Sequence, residues 1–153
     1  LLCKIENGQF ADTRSVCLND ILAHYLDDYK EVYAYRNITV TVTTDSSFCV
    51  EMNDSLVSVL VTNLLKNSFV HNIDGGFIYI KITANTFEIS NTGEKPLDRE
   101  RIFERFYQGQ KKEGSTGLGL ALVDSICKAN HLKIDYTYVE NRHIFTISKQ
   151  NPE

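Results

Sequence analysis

Three polar side chains share one sector of a predicted helix that is otherwise apolar. Asn63, Asn67 and His71 recur at intervals of four residues, so they lie one above another on an α-helix. Leu56 and Leu60 occupy the same sector one to two turns earlier. Leaving a buried amide unpaired costs about 1–3 kcal/mol, so this line requires partners in the protein, a ligand or a metal. Asparagines that merely cap neighbouring loops are the simpler alternative.

A second candidate site is the glycine-rich segment 114–120, Gly-Ser-Thr-Gly-Leu-Gly-Leu, which leads into a predicted helix. The first amides of a helix lack intrahelical partners and carry partial positive charge. Glycines let a phosphate approach such amides without a Cβ in the way. The spacing G-x-x-G-x-G differs from the dinucleotide-binding and P-loop patterns. A glycine-rich connector is the alternative explanation.

Asn91, Thr92 and Gly93 end a predicted strand. An asparagine there can accept and donate hydrogen bonds, and a glycine allows a turn or the close approach of another group. Taken alone, the three residues are explained most simply as an ordinary strand-ending turn.

The composition narrows the class of protein. The 153 residues are 42% hydrophobic and 24% charged, which is typical of one globular domain. The net charge of −4 argues against nucleic-acid binding, which usually needs a basic face. No apolar run approaches the ~18 residues that a membrane span requires.

The four cysteines are Cys3, Cys17, Cys49 and Cys127, and none belongs to a C-x-x-C pair. A zinc site is therefore not expected. Cys17 and Cys127 have apolar neighbours and are interpreted as small buried hydrophobic residues. This usage favours a reducing, cytosolic compartment.

Apolar periodicity and turn residues predict helices and strands that are interleaved along the chain. Helices are predicted over 18–36, 53–72, 98–106 and 117–129, and strands over 38–43, 48–52, 77–83, 87–90, 133–138 and 143–148. Asn53 is the predicted N-cap of the second helix, and a loop is predicted over 107–116. The pattern favours a two-layer α/β sandwich: a mixed, mostly antiparallel sheet covered on one face by about three helices.

In this order, the segments resemble the ATP-binding catalytic domain of bacterial sensor histidine kinases, members of the GHKL ATPase superfamily. The resemblance covers essentially the whole chain. The N box corresponds to residues 63–71, the reduced first glycine box to 91–93, the F box to 102–107 and the second glycine box to 114–120. Residues 1–10 resemble the end of the family's helical dimerization and phosphoacceptor domain, which leaves 11–153 as the catalytic domain. The resemblance implies a Bergerat-type sandwich.

The resemblance also implies roles for individual residues. Asn67 would coordinate a Mg²⁺ ion that bridges the ATP phosphates, and Asn63 would support the phosphate and water network, so both would be catalytic. His71 would lie close to the adenine or ribose. Asn91 would accept a hydrogen bond from the adenine amino group, and Gly93 would lie beneath the base.

The second glycine box would present backbone amides to the phosphates at Gly117, Leu118, Gly119 and Leu120. Residues 107–116 would form the ATP lid, in which Lys111 and Lys112 are candidate phosphate contacts or simply solubilising residues. Two positions depart from the family pattern. Asn91 replaces the usual aspartate, and Val70 stands where many relatives carry a lysine or arginine.

The implied function is phosphoryl transfer from ATP to a histidine, and from there to the aspartate of a response-regulator receiver domain. The acceptor histidine would lie on the dimerization domain of the same or a sister chain, since none of the four histidines of this chain has the acceptor context. The chain would be a monomeric, cytoplasmic fragment of a homodimeric parent, which could be an inner-membrane sensor.

Three alternatives remain at this point. The first is a degenerate nucleotide-binding or interaction module without kinase activity. The second is an ATPase of the gyrase, mismatch-repair or chaperone type, although those proteins carry a general-base glutamate where Asn63 stands. The third is an interaction module unrelated to ATP.

Overall fold

Three α-helices and seven strands make up the regular structure of the residues that the computed structural model describes, which are 12–105, 107 and 118–150. A 3₁₀ turn, Ala34–Arg36, joins α1 to β2. In chain order the elements are β1 (Arg14–Cys17), α1 (Leu18–Val32), β2 (Thr39–Thr44), β3 (Cys49–Met52), α2 (Asp54–Val70), β4 (Phe77–Ile82), β5 (Thr86–Thr92), α3 (Gly119–Ala129), β6 (Leu132–Val139) and β7 (Arg142–Lys149).

Five of the strands form one sheet in the order β2-β4-β5-β7-β6. The β2–β4 pair is parallel, and the other three pairs are antiparallel. This confirms the predicted mixed, mostly antiparallel sheet. A separate antiparallel ribbon joins β1 to β3; sequence patterning did not predict β1.

The hydrophobic core lies between this sheet and the helices. Along β4, Ile78, Ile80 and Ile82 are buried, whereas Phe77 and Tyr79 are 46% and 39% exposed. Alternation of this kind means that one face of the sheet is covered and the other is open. The helix layer therefore covers one face, as predicted.

Helix α2 is the most enclosed element of the helix layer. It contacts α1, α3 and β5, and a helix surrounded in this way must be apolar around most of its circumference. Its buried residues are Leu56, Val57, Leu60, Val61, Leu64, Leu65, Ser68 and Phe69. The predicted N-cap is confirmed, because the side-chain oxygen of Asn53 accepts hydrogen bonds from the Ser55 and Leu56 amides at 2.9 and 3.4 Å.

The short helix predicted over 98–106 is wrong for the described residues of that range. Residues 99–105 form consecutive turns, in which the Arg101 amide donates to the Asp98 carbonyl and the Glu104 amide donates to the Arg101 carbonyl. The Asp98 carboxylate also accepts from the Glu100 amide at 3.0 Å. Such local side-chain bonds compete with the helical pattern.

The interpretation of Cys17 as a small buried hydrophobic residue is also wrong, and the cysteines therefore no longer support the expected reducing compartment. Cys17 lies opposite Cys49 in the β1–β3 ribbon and forms a disulfide with it. The interpretation of Cys127 is confirmed, since it is buried and free. Burial, followed by the nearby Asp124 carboxylate, raises the pKa of the Cys127 thiol to about 12, so this thiol stays protonated and unreactive at neutral pH.

None of the helices in the described ranges is long and apolar enough to cross a membrane.

The disulfide is expected to stabilise the fold. Replacing Cys49 by serine (Cys49→Ser) should lower the free energy of unfolding by about 2–4 kcal/mol, because the bond links residues 32 positions apart and restricts the unfolded chain. Urea unfolding measures the difference. With a reducing agent present, the two proteins should agree to within about 0.5 kcal/mol. Equal stability without reductant would contradict a stabilising cross-link.

Candidate functional site

The polar line of α2 is present in the structure, on the C-terminal half of that helix. Asn63, Asn67 and His71 are all partly buried. The Asn63 amide donates to the Val59 carbonyl of its own helix at 2.7 Å. Among the described residues no partner lies within hydrogen-bond distance of the Asn67 side chain. Asn67 therefore presents both an amide oxygen and an amide nitrogen at the edge of the core.

Asn63 lies directly against the first residue of α3. A Cβ placed on Gly119 would be 2.9 Å from Asn63 Oδ1, so the absence of a side chain lets the two helices meet here. Leu118, the N-cap residue of α3, makes no side-chain capping bond. The first amides of α3, on Gly119 and Leu120, therefore begin next to the polar line of α2.

The sheet becomes polar at one end of its covered face. Strands β5 and β7 pair Phe87 with Ile147 and Ile89 with Phe145, and the next pair in register on the same face is Asn91 with His143. Asn91 is buried, and its Nδ2 donates to the Thr92 carbonyl at 3.0 Å. This bond uses the nitrogen of the amide and leaves Oδ1 as the group that can accept a hydrogen bond.

Gly93 is held from both sides by the β6–β7 hairpin. Its amide donates to the Asn141 carbonyl, and its carbonyl accepts from the Tyr138 hydroxyl, each at 2.8 Å. A Cβ on Gly93 would lie 2.1 Å from His143 Nε2. The imidazole therefore fills the space beneath Gly93, and only glycine fits at this position.

His143 belongs to a buried hydrogen-bonded chain. The Tyr136 hydroxyl lies 2.8 Å from His143 Nδ1 and accepts from the Leu97 amide at 3.0 Å. The hydroxyl keeps its own proton and can donate it to Nδ1 when the ring proton of His143 is on Nε2. Burial lowers the pKa of His143, so the imidazole is neutral at pH 7.

Sequence reasoning did not identify this support beneath Gly93. Part of it could have been predicted, because side chains alternate between the two faces of a strand. This alternation places Tyr136 and Tyr138 on the covered face of β6, and His143 on the covered face of β7. The sequence does not show the register between β6 and β7, and this register is what brings the three rings together. Their ring centroids lie 5.8 Å (Tyr136–His143) and 5.2 Å (Tyr138–His143) apart.

The remaining predicted residues are only partly described. Leu118, Gly119 and Leu120 lie at the start of α3, which begins at Gly119, two residues later than the predicted helix start at 117. Gly117, Lys111, Lys112 and most of the predicted lid lie outside the described residues, as does the predicted dimerization segment 1–10. In the F box, the Phe103 ring packs edge-on against the Phe145 ring, with 6.5 Å between the ring centroids.

Residues 52–151 match a protein family described as histidine kinase-, DNA gyrase B- and HSP90-like ATPases. The chain is 31% identical to the sensor histidine kinase RppB of Synechocystis over 138 residues, which cover 82% of this chain and 30% of that protein. It is 32% identical to the heme sensor protein HssS of Staphylococcus aureus, across 99% of this chain and 35% of that protein. The chain thus spans about a third of the length of these curated relatives.

The fold is also similar to solved structures. The nucleotide-free catalytic domain of the histidine kinase ThkA superimposes with a TM-score of 0.77 at 22% identity, covering 91% of this chain and 95% of that one. ThkA solved in complex with the response regulator protein TrrA gives a TM-score of 0.69 at 24% identity, covering 90% of this chain and 42% of that one. These similarities confirm the predicted α/β sandwich.

The contact between Gly93 and His143 generates a stability prediction. Gly93→Ala should lower the free energy of unfolding by about 1–3 kcal/mol, because the added Cβ would collide with the imidazole. In a His143→Ser background the same change should cost less, with a coupling energy of about 0.5–3 kcal/mol. Urea unfolding of the four proteins measures this coupling. Strictly additive losses would show that the ring does not occupy the space beneath Gly93.

The lowered pKa of His143 generates a pH prediction. A histidine whose folded pKa lies below the unfolded value of 6.5 contributes stability that is complete above pH 6.5 and is lost as pH falls through the folded pKa. Unfolding free energies measured from pH 8 to pH 5 should therefore decline below pH 6.5. His143→Gln should decline less steeply over the same window, and parallel curves would exclude His143 as the titrating group.

Proposed function

The chain belongs to the histidine kinase-, DNA gyrase B- and HSP90-like ATPase family, and within it we propose that the chain is a sensor histidine kinase catalytic domain that binds Mg-ATP beside the polar line of α2. The observation that carries the proposal is the meeting of Asn63 with Gly119. This contact puts the amide side chain of Asn63 beside the first backbone amides of α3.

The start of α3 is the proposed phosphate site. Helix N-termini bind phosphate through their first backbone amides and the helix dipole, and Leu118, Gly119 and Leu120 supply the amides at the start of α3. A chain with a net charge of −4 needs local positive potential to hold a triphosphate. Gly117, Lys111 and Lys112 would extend the site by further amide and ammonium contacts.

Asn67 is the proposed protein ligand of Mg²⁺. Magnesium usually keeps several waters and is held by one or two protein oxygens together with substrate phosphates. The donors on α2 fit that mode, because Asn67 offers an amide oxygen with no partner among the described residues. The described ranges contain no group of three or more His, Cys, Asp or Glu side chains that could hold a metal.

The end of β5 is the proposed base site. Asn91 Oδ1 would accept a hydrogen bond from the adenine amino group, in the orientation fixed by the bond from its Nδ2 to the Thr92 carbonyl. Gly93 would lie beneath the base, at a height set by the imidazole of His143. His71, at the end of α2, would lie near the adenine or ribose.

The proposed reaction is transfer of the γ-phosphoryl group to a histidine supplied by the dimerization domain of the same or a sister chain. The bond between the γ-phosphorus and the bridging oxygen breaks, ADP leaves with the electron pair, and a P–N bond forms as the imidazole loses its proton. Positioning and charge stabilisation account for most of such catalysis. Asn63 cannot remove a proton from water, so hydrolysis by a general base at this position is disfavoured.

The proposed signalling partners follow from the relatives. The response-regulator complex is known for ThkA, and a receiver domain is the proposed second acceptor here. We propose that residues 1–10 end the dimerization domain, that this chain alone is a monomer, and that its parent is a homodimer. A cytoplasmic position below an inner-membrane sensor is part of the same proposal, and nucleic acid is not among the expected partners.

The proposal predicts Mg-dependent stabilisation by ATP. A ligand at about 100 times its dissociation constant adds ~2.7 kcal/mol to the unfolding free energy, and Asn67→Ala should remove most of the Mg-dependent part. Thermal unfolding with and without ATP, each with and without Mg²⁺, measures this. The matched control is Asn85→Ala, which truncates an exposed asparagine beyond the opposite end of β5 and should respond as the wild type does.

No shift in the unfolding midpoint at millimolar ATP would favour the degenerate module.

A second assay separates nucleotide binding from phosphoryl transfer. With labelled ATP the chain alone should not acquire label on a histidine, and label there would refute the assignment of the acceptor to another domain.

A further inference from the structure

We infer that Arg36 is a positioning residue for the proposed nucleotide site, because its guanidinium group holds the end of α2 that carries Asn67 and His71. The guanidinium Nη1 donates to the carbonyls of Phe69 and Val70, at 3.2 Å in the case of Val70. Its Nη2 donates to the Asn72 carbonyl at 2.6 Å.

The end of α2 needs such a partner. The last carbonyls of a helix have no intrahelical donor and form the negative end of the helix dipole. Lysine or arginine in the last turn often offsets this charge, but the last turn of α2 contains no basic residue. Arg36 supplies the charge from a position more than 30 residues earlier in the chain, and its side chain is only 13% exposed.

Arg36 is itself held where it can reach these carbonyls. It ends the 3₁₀ turn after α1, and the following Asn37 adopts a left-handed conformation with φ of 55°. The Arg36 carbonyl accepts from the Gly75 amide at 2.8 Å, and the Thr39 amide donates to the Gly76 carbonyl at 3.0 Å. Two backbone bonds thus tie the entry to β2 to the loop that follows α2.

Arg36 holds the backbone on both sides of His71. Arg36 binds the carbonyls on either side of that residue, those of Val70 and Asn72. The His71 amide in turn donates to the Asn67 carbonyl at 3.0 Å. A shift of the guanidinium group therefore moves the backbone that orients His71, and through it the last turn that carries Asn67.

Asp74 is the less important partner of Arg36. The Arg36 Nε donates to Asp74 Oδ1 at 2.9 Å, but the Asp74 side chain is 80% exposed, and exposed ion pairs contribute little. Two matched controls follow. Asp74→Asn removes the charge of this carboxylate and keeps the carbonyl contacts. Arg14→Gln breaks the exposed Arg14–Asp54 pair at the opposite end of α2.

The test has two readouts, and only the second rests on the proposed function. The first readout is the NMR signal of the His71 ring and of the Asn67 side-chain amide in the protein without nucleotide. The second is the dissociation constant for Mg-ATP from calorimetry, at a temperature where every variant is folded. Arg36→Gln should move both signals and weaken Mg-ATP binding by about tenfold, or ~1.4 kcal/mol, because the end of α2 that carries two of the proposed contacts, Asn67 and His71, would shift.

Arg36→Lys is the conservative variant. It keeps the positive charge but not the planar fork that reaches several carbonyls at once, so it should fall between the wild type and Arg36→Gln in both readouts. It also carries the test if Arg36→Gln does not fold. Asp74→Asn and Arg14→Gln should match the wild type.

Unchanged His71 and Asn67 signals in the Arg36 variants would overturn the inference, as would wild-type binding by them. Equal weakening by Arg14→Gln would also overturn it, since any loss of charge at α2 would then suffice. If the wild type does not bind Mg-ATP, the proposed function fails, and the NMR signals still decide whether Arg36 positions these residues.

Discussion

Helix α2 contacts the sheet at β5 and both other helices, so it is buried on nearly all sides. The remaining structure depends on this burial. An element enclosed in this way can carry polar side chains only where they are satisfied or where the enclosure ends. In α2 that region is the C-terminal half. Asn63 is satisfied by its own helix and meets α3 at a glycine, and Asn67 follows one turn later at the partly exposed edge.

The two ends of α2 are held by different means. At the first turn the Asn53 side chain accepts from two amides, a local arrangement between neighbouring residues. At the last turn a guanidinium group from a distant segment binds three carbonyls. The end next to the proposed nucleotide site therefore depends on tertiary contacts, which allows its position to be set by residues that never touch a ligand.

The sheet contributes a second rigid support. Gly93 is clamped by the β6–β7 hairpin, and a neutral, buried imidazole fills the space under it. The same imidazole is linked through the Tyr136 hydroxyl to the Leu97 amide, near the start of the turns at 99–105. The floor of the proposed base site and the segment leading toward residues 108–117 thus share one hydrogen-bonded chain.

The sequence by itself determined the types of the three helices and of β2 to β7, the cap at Asn53, the polar line of α2 and the family, because each depends on periodicity or on neighbours within a few residues. The roles of Asn63, Asn67, His71, Asn91 and Gly93 remain predictions.

Tertiary structure alone decided what depends on strand register and on distant segments. The β1–β3 ribbon joined Cys17 to Cys49. Strand register brought His143 beneath Gly93, and the turn after α1 brought Arg36 to the end of α2. Partners 32 to 50 residues apart leave no local pattern, so only the folded chain shows which of them meet.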